Sequence, residues 1–110
     1  MSTPIGREQK TVEVGGDTYL LTALTTSAGF ETMAKLQEMG ESLIPDPLFL
    51  RKLIVESAAI NNTAFDVARY ERHFSRKHKV ALELFQEIVK FNFPEIEDGP
   101  NAESDTSETL

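Results

Sequence analysis

Ala81, Leu84, Phe85, Ile88 and Phe91 recur at spacings of three and four in a stretch that ends at Pro94. That period gathers the five apolar side chains on one face of a helix. Pro94 disfavours helical backbone at Phe93 and sets the stop. A helix with one apolar stripe must bury it, so the rest of the chain has to supply a packing surface. The longer stretch from Thr63 to Pro94 therefore organises the sequence, running from a helix start through a basic cluster into this helix.

The preceding residues offer that surface. Thr11–Val14 and Tyr19–Leu24 are β-prone, and Gly15-Gly16-Asp17 between them suits a tight hairpin. Val12 and Val14 alternate with Thr11 and Glu13, giving one apolar face. A lone hairpin is marginal, so it must pack on helices. Thr25, Thr26 and Ser27 are N-cap candidates for a helix over 28–39, with Gly40 as its C-terminal glycine. Phe30, Met33, Ala34 and Gln37 are expected on its inner face, with Leu36 and Met39 beside it. Asp46-Pro47 starts a second helix, whose apolar residues through Ile60 cover most of its circumference. Such a helix belongs in the centre of a core or partly in an interface. Asn61-Asn62 ends it. Thr63 and Asp66 resemble a capping box for a third helix from Ala64 to about His73. Ser75 is the candidate cap of the last helix, or the two helices run on.

The expected architecture is mainly α with a small β component. A small N-terminal β-hairpin packs on a three- to four-helix bundle over residues 10–97. Residues 1–9 form a flexible lead-in, and 98–110 a disordered acidic tail.

The chain has 110 residues and a net charge of −7, the size of one domain. The segment from Glu95 to Leu110 holds six of the eighteen acidic residues and none of the eleven basic ones, so the body is close to neutral. With no cysteine, a disulfide framework and a thiolate metal site are excluded. No apolar run approaches the roughly 20 residues of a membrane helix, and the N-terminus lacks the apolar core of a signal peptide. A cytoplasmic location is the simplest expectation.

Arg69, Arg72, His73, Arg76, Lys77, His78 and Lys79 form a basic cluster that suits phosphate or an acidic partner. Glu71, Glu83 and Glu87 dilute its field, and the aromatic interleaving is limited to Tyr70 and Phe74. A solvated or protein-facing surface is therefore favoured over nucleic acid. His73 and His78 are five apart and do not converge on a metal from one helix face. Asp66 reads as a cap rather than a buried acid. No nucleophile has identifiable partners, and there is no phosphate loop or dinucleotide motif. No enzyme, cofactor or metal site is expected. The Phe65, Phe74, Phe85, Phe91 and Phe93 set reads as core, and any apolar stripe left over would make a groove or an oligomer interface.

The order of features resembles the tail assembly chaperones of long-tailed bacteriophages. The likeness rests on the run from Leu24 through Phe30 to Leu36, then Phe65-Asp66, Phe74, Arg76 and Asn92-Phe93. It spans about residues 19–94. Thr25-Thr26 stands where a proline is common in that family, and Gly29-Phe30 departs from it too. The resemblance implies a non-catalytic holdase in the host cell cytoplasm. It would coat the tape measure protein, keep it soluble, help recruit the tail tube protein and be absent from the mature virion. A longer form made by ribosomal frameshifting is a further partner the family implies. Partner-binding candidates are Leu50, Leu53, Ile54, Phe85, Ile88 and Phe91, undivided between core and groove, with Arg69, Arg72, Arg76 and Lys77 for acidic positions. The alternatives are a small DNA-binding regulator using Arg69 to Lys79, and a structural phage morphogenesis subunit; homo-oligomers are compatible with each.

Overall fold

Gly15 and Gly16 have φ values of 60° and 90°, the two positive dihedrals that a tight turn between right-twisted strands requires. They close an antiparallel hairpin of β1 (Gln9–Val14) and β2 (Asp17–Thr22). The computed structural model describes residues 7–41 and 44–94. The ladder begins earlier than Thr11, because Gln9 pairs with Thr22. The segment expected to be loose is tied to β2 at its end. Arg7 Nη1 donates to the Ala23 carbonyl at 3.0 Å, and Ala23 N donates to the Glu8 carbonyl at 2.8 Å. The expected acidic tail lies outside the described residues.

Among the described residues, four helices follow the hairpin or are interleaved with two further strands: α1 (Thr26–Met39), α2 (Pro47–Ser57), β3 (Ala58–Ile60), β4 (Thr63–Ala64), α3 (Val67–His73) and α4 (His78–Asn92). The expected hairpin on helices is present, within a sheet of order β1-β2-β3-β4, antiparallel throughout. Period-two alternation puts Val12, Val14, Tyr19, Leu21, Ala58 and Ile60 on one face. Five of these six are buried, and Val12 packs against them. The other face carries Thr11, Glu13 and Thr18, which are exposed.

The strand at Ala58–Ile60 corrects the expected continuation of α2 through Ile60. Ala58 pairs with Leu21 and Ile60 with Tyr19, and Ser57 Oγ donates to the Thr22 carbonyl at 2.8 Å. A ready ladder partner outweighs the small helix preference of two alanines. Asn61 and Asn62, at φ 54° and 63°, form the turn into β4. Asparagine is the residue after glycine that best tolerates this region.

The caps follow from side-chain reach. Thr25 Oγ1 accepts from Ala28 N at 3.2 Å, and Asp46 Oδ2 accepts from Leu48 N and Phe49 N at 3.0 and 3.2 Å, with Pro47 in the first turn. The Thr63–Asp66 box does not form. Thr63 belongs to β4, and its hydroxyl donates to the Asn61 carbonyl. Asp66 itself caps α3, accepting from Arg69 N at 2.7 Å, so that helix starts at Val67. Ser75 caps nothing: Arg76 turns the chain at φ 64°, and α4 starts after Lys77 with no side-chain cap.

Tyr19, Leu21, Leu53, Ile54, Leu84 and Ile88 are fully enclosed at the junction of sheet, α2 and α4. α2 is the central helix, touching α4, α3 and β3. α1 buries Thr32 and packs Leu36 and Met39 on the core. Its expected inner residue Phe30 is 67 % exposed, and Ala34 and Gln37 also face outward. The buried positions lie four and then three apart, so the helix is rotated from the expected face. Gly29 lies next to the Phe93 ring at the same end.

Candidate protein-binding groove

α2 has more apolar surface than its neighbours cover. One flank faces α1, where Phe49 and Leu53 line a cleft of about 250 Å3 with Thr32. The other flank, with α3 and the start of α4, borders a groove of about 630 Å3. Leu50, Tyr70, Phe74, Ala81 and Leu82 line it, and Arg51, Glu71, Arg76 and His78 supply its polar groups. Ile44 and Leu48 are 66 % and 61 % exposed at its lip. Arg51 and Glu71 pair across it at 3.3 Å, an exposed contact worth little by itself.

The turn between α3 and α4 places the cations Arg76, Lys77 and Lys79 at one end, with His78 among them. Arg76, Lys77, His78 and Lys79 are all exposed and make no ion pair among the described residues. Arg69 and Arg72 lie elsewhere, around a recess of about 190 Å3 with Phe65 and His73. The Arg69 guanidinium carbon is 6.0 Å from the Phe65 ring centre, within cation–π range. The basic cluster is therefore two surfaces rather than one.

The apolar candidates separate as well. Leu50 belongs to the groove, half-buried. Leu53, Ile54, Phe85 and Ile88 are core residues, buried in the apolar cluster. Phe91 is half-buried against the core, away from the groove lining. Asp66 is an exposed cap. Ile44, Leu48 and Leu82 are groove residues that the periodic stripe of α4 passes over. Their one signal was the apolar excess around α2.

His73, part of the basic segment expected to be a solvated or protein-facing surface, is half-buried in an aromatic cluster. Its ring lies 4.7 Å from Phe74 and 5.4 Å from Phe65, and its Nε2 is 2.9 Å from Tyr19 Oη. Burial lowers its pKa, Lys77 and Arg69 nearby lower it further, and Asp17 opposes them. The imidazole is therefore neutral at neutral pH, and its 3.7 Å approach to Asp17 is not an ion pair there. Tyr19 is pushed up to about 12, first by burial and then by the Asp17 carboxylate. Among the described residues no three His, Asp or Glu side chains converge as metal ligands, and no helix is long and apolar enough to cross a membrane.

Compared with protein-family models, with curated proteins and with solved structures, the chain finds no match.

Proposed function

We propose that this protein is a non-catalytic chaperone of bacteriophage tail assembly that holds amphipathic helical segments of a tape measure protein. The observation that carries the reading is the groove beside α2, with an apolar floor, the exposed Leu48 and Ile44 at its lip, and at one end the exposed Arg76, Lys77 and Lys79, which make no ion pair among the described residues. Helix-in-groove recognition needs an apolar trough that accepts side chains at positions i, i+3, i+4 and i+7. The cations favour a helix whose polar flank is acidic, through charge complementarity that speeds encounter. A soluble exterior is supplied by the outward faces of the sheet and α4.

The sequence resemblance supports the same reading, and its parts converge in space. Leu24 opens the first helical motif and Asn92 closes the last, and they are hydrogen-bonded at 2.8 Å. The Phe65 and Phe74 rings meet in one cluster, tilted with centres 5.5 Å apart, and Asp66 caps the helix between them. Recruitment of the tail tube protein, pairing with a frameshift-extended form, residence in the host cytoplasm and departure before the virion matures belong to this proposal.

The test is co-expression with the tape measure protein of the same genome, followed by solubility and pull-down measurements. The proposal requires the tape measure protein to stay soluble and co-purify, and to lose both properties with Leu48→Glu. Precipitation of the tape measure protein while this chain stays free overturns it. DNA titration at low and high salt then tests the alternative, since phosphate binding weakens steeply with salt.

A further inference from the structure

α3 divides its side chains between two faces. Tyr70 and Glu71 border the groove together with Phe74, whereas Arg69, Arg72 and His73 stand three and four positions apart and share a different face. That spacing brings the three basic side chains around the recess of about 190 Å3, with the Phe65 ring as its apolar wall. No carboxylate neutralises the two guanidinium groups: Arg69 and Arg72 make no ion pair among the described residues. The acids of the same segment are occupied, since Asp66 caps α3 and Glu71 pairs with Arg51. Arg69 Nε is buried without a hydrogen-bond partner, and its guanidinium carbon lies 6.0 Å from the Phe65 ring centre. A buried guanidinium N–H in that state is unfavourable, and an acceptor oxygen beside it relieves the loss.

We infer that this recess is a binding site for one tetrahedral oxyanion, a phosphate group either free or on a small ester, held by Arg69, Arg72 and His73. A carboxylate presents two oxygens in one plane, which a single guanidinium fork satisfies. A phosphate presents oxygens in several directions, matching donors that come from two guanidinium groups and an imidazole. The recess is roomy enough for several waters, and hence for such a group. Its charge suits a dianion. Burial first, and then Lys77, hold the His73 imidazole neutral, with Arg69 acting the same way and Asp17 opposing them. The Asp17 carboxylate approaches His73 Nε2 to 3.7 Å, and Tyr19 Oη to 2.9 Å. A bound dianion counters Lys77 and Arg69, so His73 takes up a proton more readily when the site is filled. The site takes one phosphate rather than a polyanion, because Arg76 and His78 line the groove instead. It does not depend on what the groove binds.

The test is a titration of the full-length protein with inorganic phosphate at constant ionic strength, with acetate and chloride as comparison anions. Amide, arginine Nε–Hε and imidazole resonances are followed by NMR. The expected result is a saturable shift confined to Arg69, Arg72 and His73 with phosphate, and none with acetate or chloride. The His73 titration midpoint rises in phosphate. Arg72→Gln, at an exposed position, weakens phosphate binding by about tenfold or more and keeps the wild-type circular dichroism spectrum, while Arg76→Gln binds as the wild type does. Shifts that grow linearly without saturating, or that acetate reproduces at the same concentration, overturn the proposal. So do shifts that run on through Arg76 to Lys79. A short DNA duplex that displaces phosphate and shifts Arg76, Lys77 and Lys79 also overturns it, because the cations then form one extended backbone-binding face.

Discussion

Asn92 Oδ1 accepts a hydrogen bond from Leu24 N at 2.8 Å, joining the exit of β2 to the end of α4 across 68 positions. Asn92 Nδ2 donates to the Ile88 carbonyl at 2.9 Å in the last turn of that helix. Both halves of the amide are used. Asn92→Ala removes the acceptor and leaves a partly buried N–H unmet, a loss of about 1–2 kcal/mol. For a domain of this size that lowers Tm by about 4–8 °C per kcal/mol. Asn92→Asp keeps the acceptor for Leu24, loses the donor and places a negative charge at the helix C-terminus, so it also destabilises. Thermal unfolding of both variants measures this. A wild-type melting curve for Asn92→Ala means that water replaces the bond.

Gly15 is constrained twice. Its φ is +60°, and a Cβ there meets Val80 Cγ2 at 2.6 Å. Gly16, at φ +90°, has nothing within 4 Å of an added Cβ. Gly16→Ala therefore costs backbone strain of about 1 kcal/mol. Gly15→Ala costs that plus the displacement of α4 from the hairpin. Val80→Ala in the Gly15→Ala background returns part of the second loss, so the double-mutant cycle shows a favourable coupling. Equal losses for Gly15→Ala and Gly16→Ala in urea unfolding show that Val80 simply moves aside.

The hairpin, the caps at Thr25 and Asp46 and the inner stripe of α4 were legible because each is a local signal: paired glycines, a short polar side chain before a helix, a period near 3.6. Ala58–Ile60 was not. Its strand exists because Tyr19 and Leu21, far away in sequence, supply the ladder. Periodicity cannot distinguish three apolar residues ending a helix from three in a covered strand. The rotation of α1 escaped for a related reason. Phe30 outranks Thr32 in hydrophobicity, yet Thr32 is the buried one, its hydroxyl donating to the Ala28 carbonyl at 2.8 Å. The groove was half legible. An apolar surplus on α2 announced an uncovered surface, but its walls come from the α3–α4 turn, whose direction depends on the positive φ of Arg76.

His73 makes stability depend on pH in a defined direction. Its pKa in the fold lies below the ordinary 6.5, chiefly through burial. The unfolded chain therefore binds more protons in that range than the folded one, and stability rises with pH. The contribution is complete above pH 6.5 and falls as the pH drops toward the lowered value. His73→Gln removes the titration, so its stability changes less between about pH 7.5 and 5.5 than that of the wild type. Urea midpoints at several pH values, taken as a difference between the two proteins, measure it. Parallel curves would mean that the imidazole protonates in the fold as readily as in the unfolded chain.

Leu48 and Leu53 lie five positions apart on α2 and do opposite things. Leu53 is 2 % exposed in the core, and Leu48 is 61 % exposed at the lip of the groove. Leu53→Ala leaves a cavity and costs about 2–5 kcal/mol, lowering the amount of folded protein and every activity with it. Leu48→Glu changes an exposed residue in the first turn, where a negative charge suits the helix dipole, and shifts stability by no more than about 0.5 kcal/mol. It nevertheless puts a carboxylate at the edge of the apolar trough. Capture of an amphipathic partner helix should therefore fall sharply while the circular dichroism spectrum and Tm stay at wild-type values. Unchanged capture with an unchanged Tm would place the partner surface elsewhere. The next face to mutate would then be the outward side of α1 around Phe30, which is more exposed still.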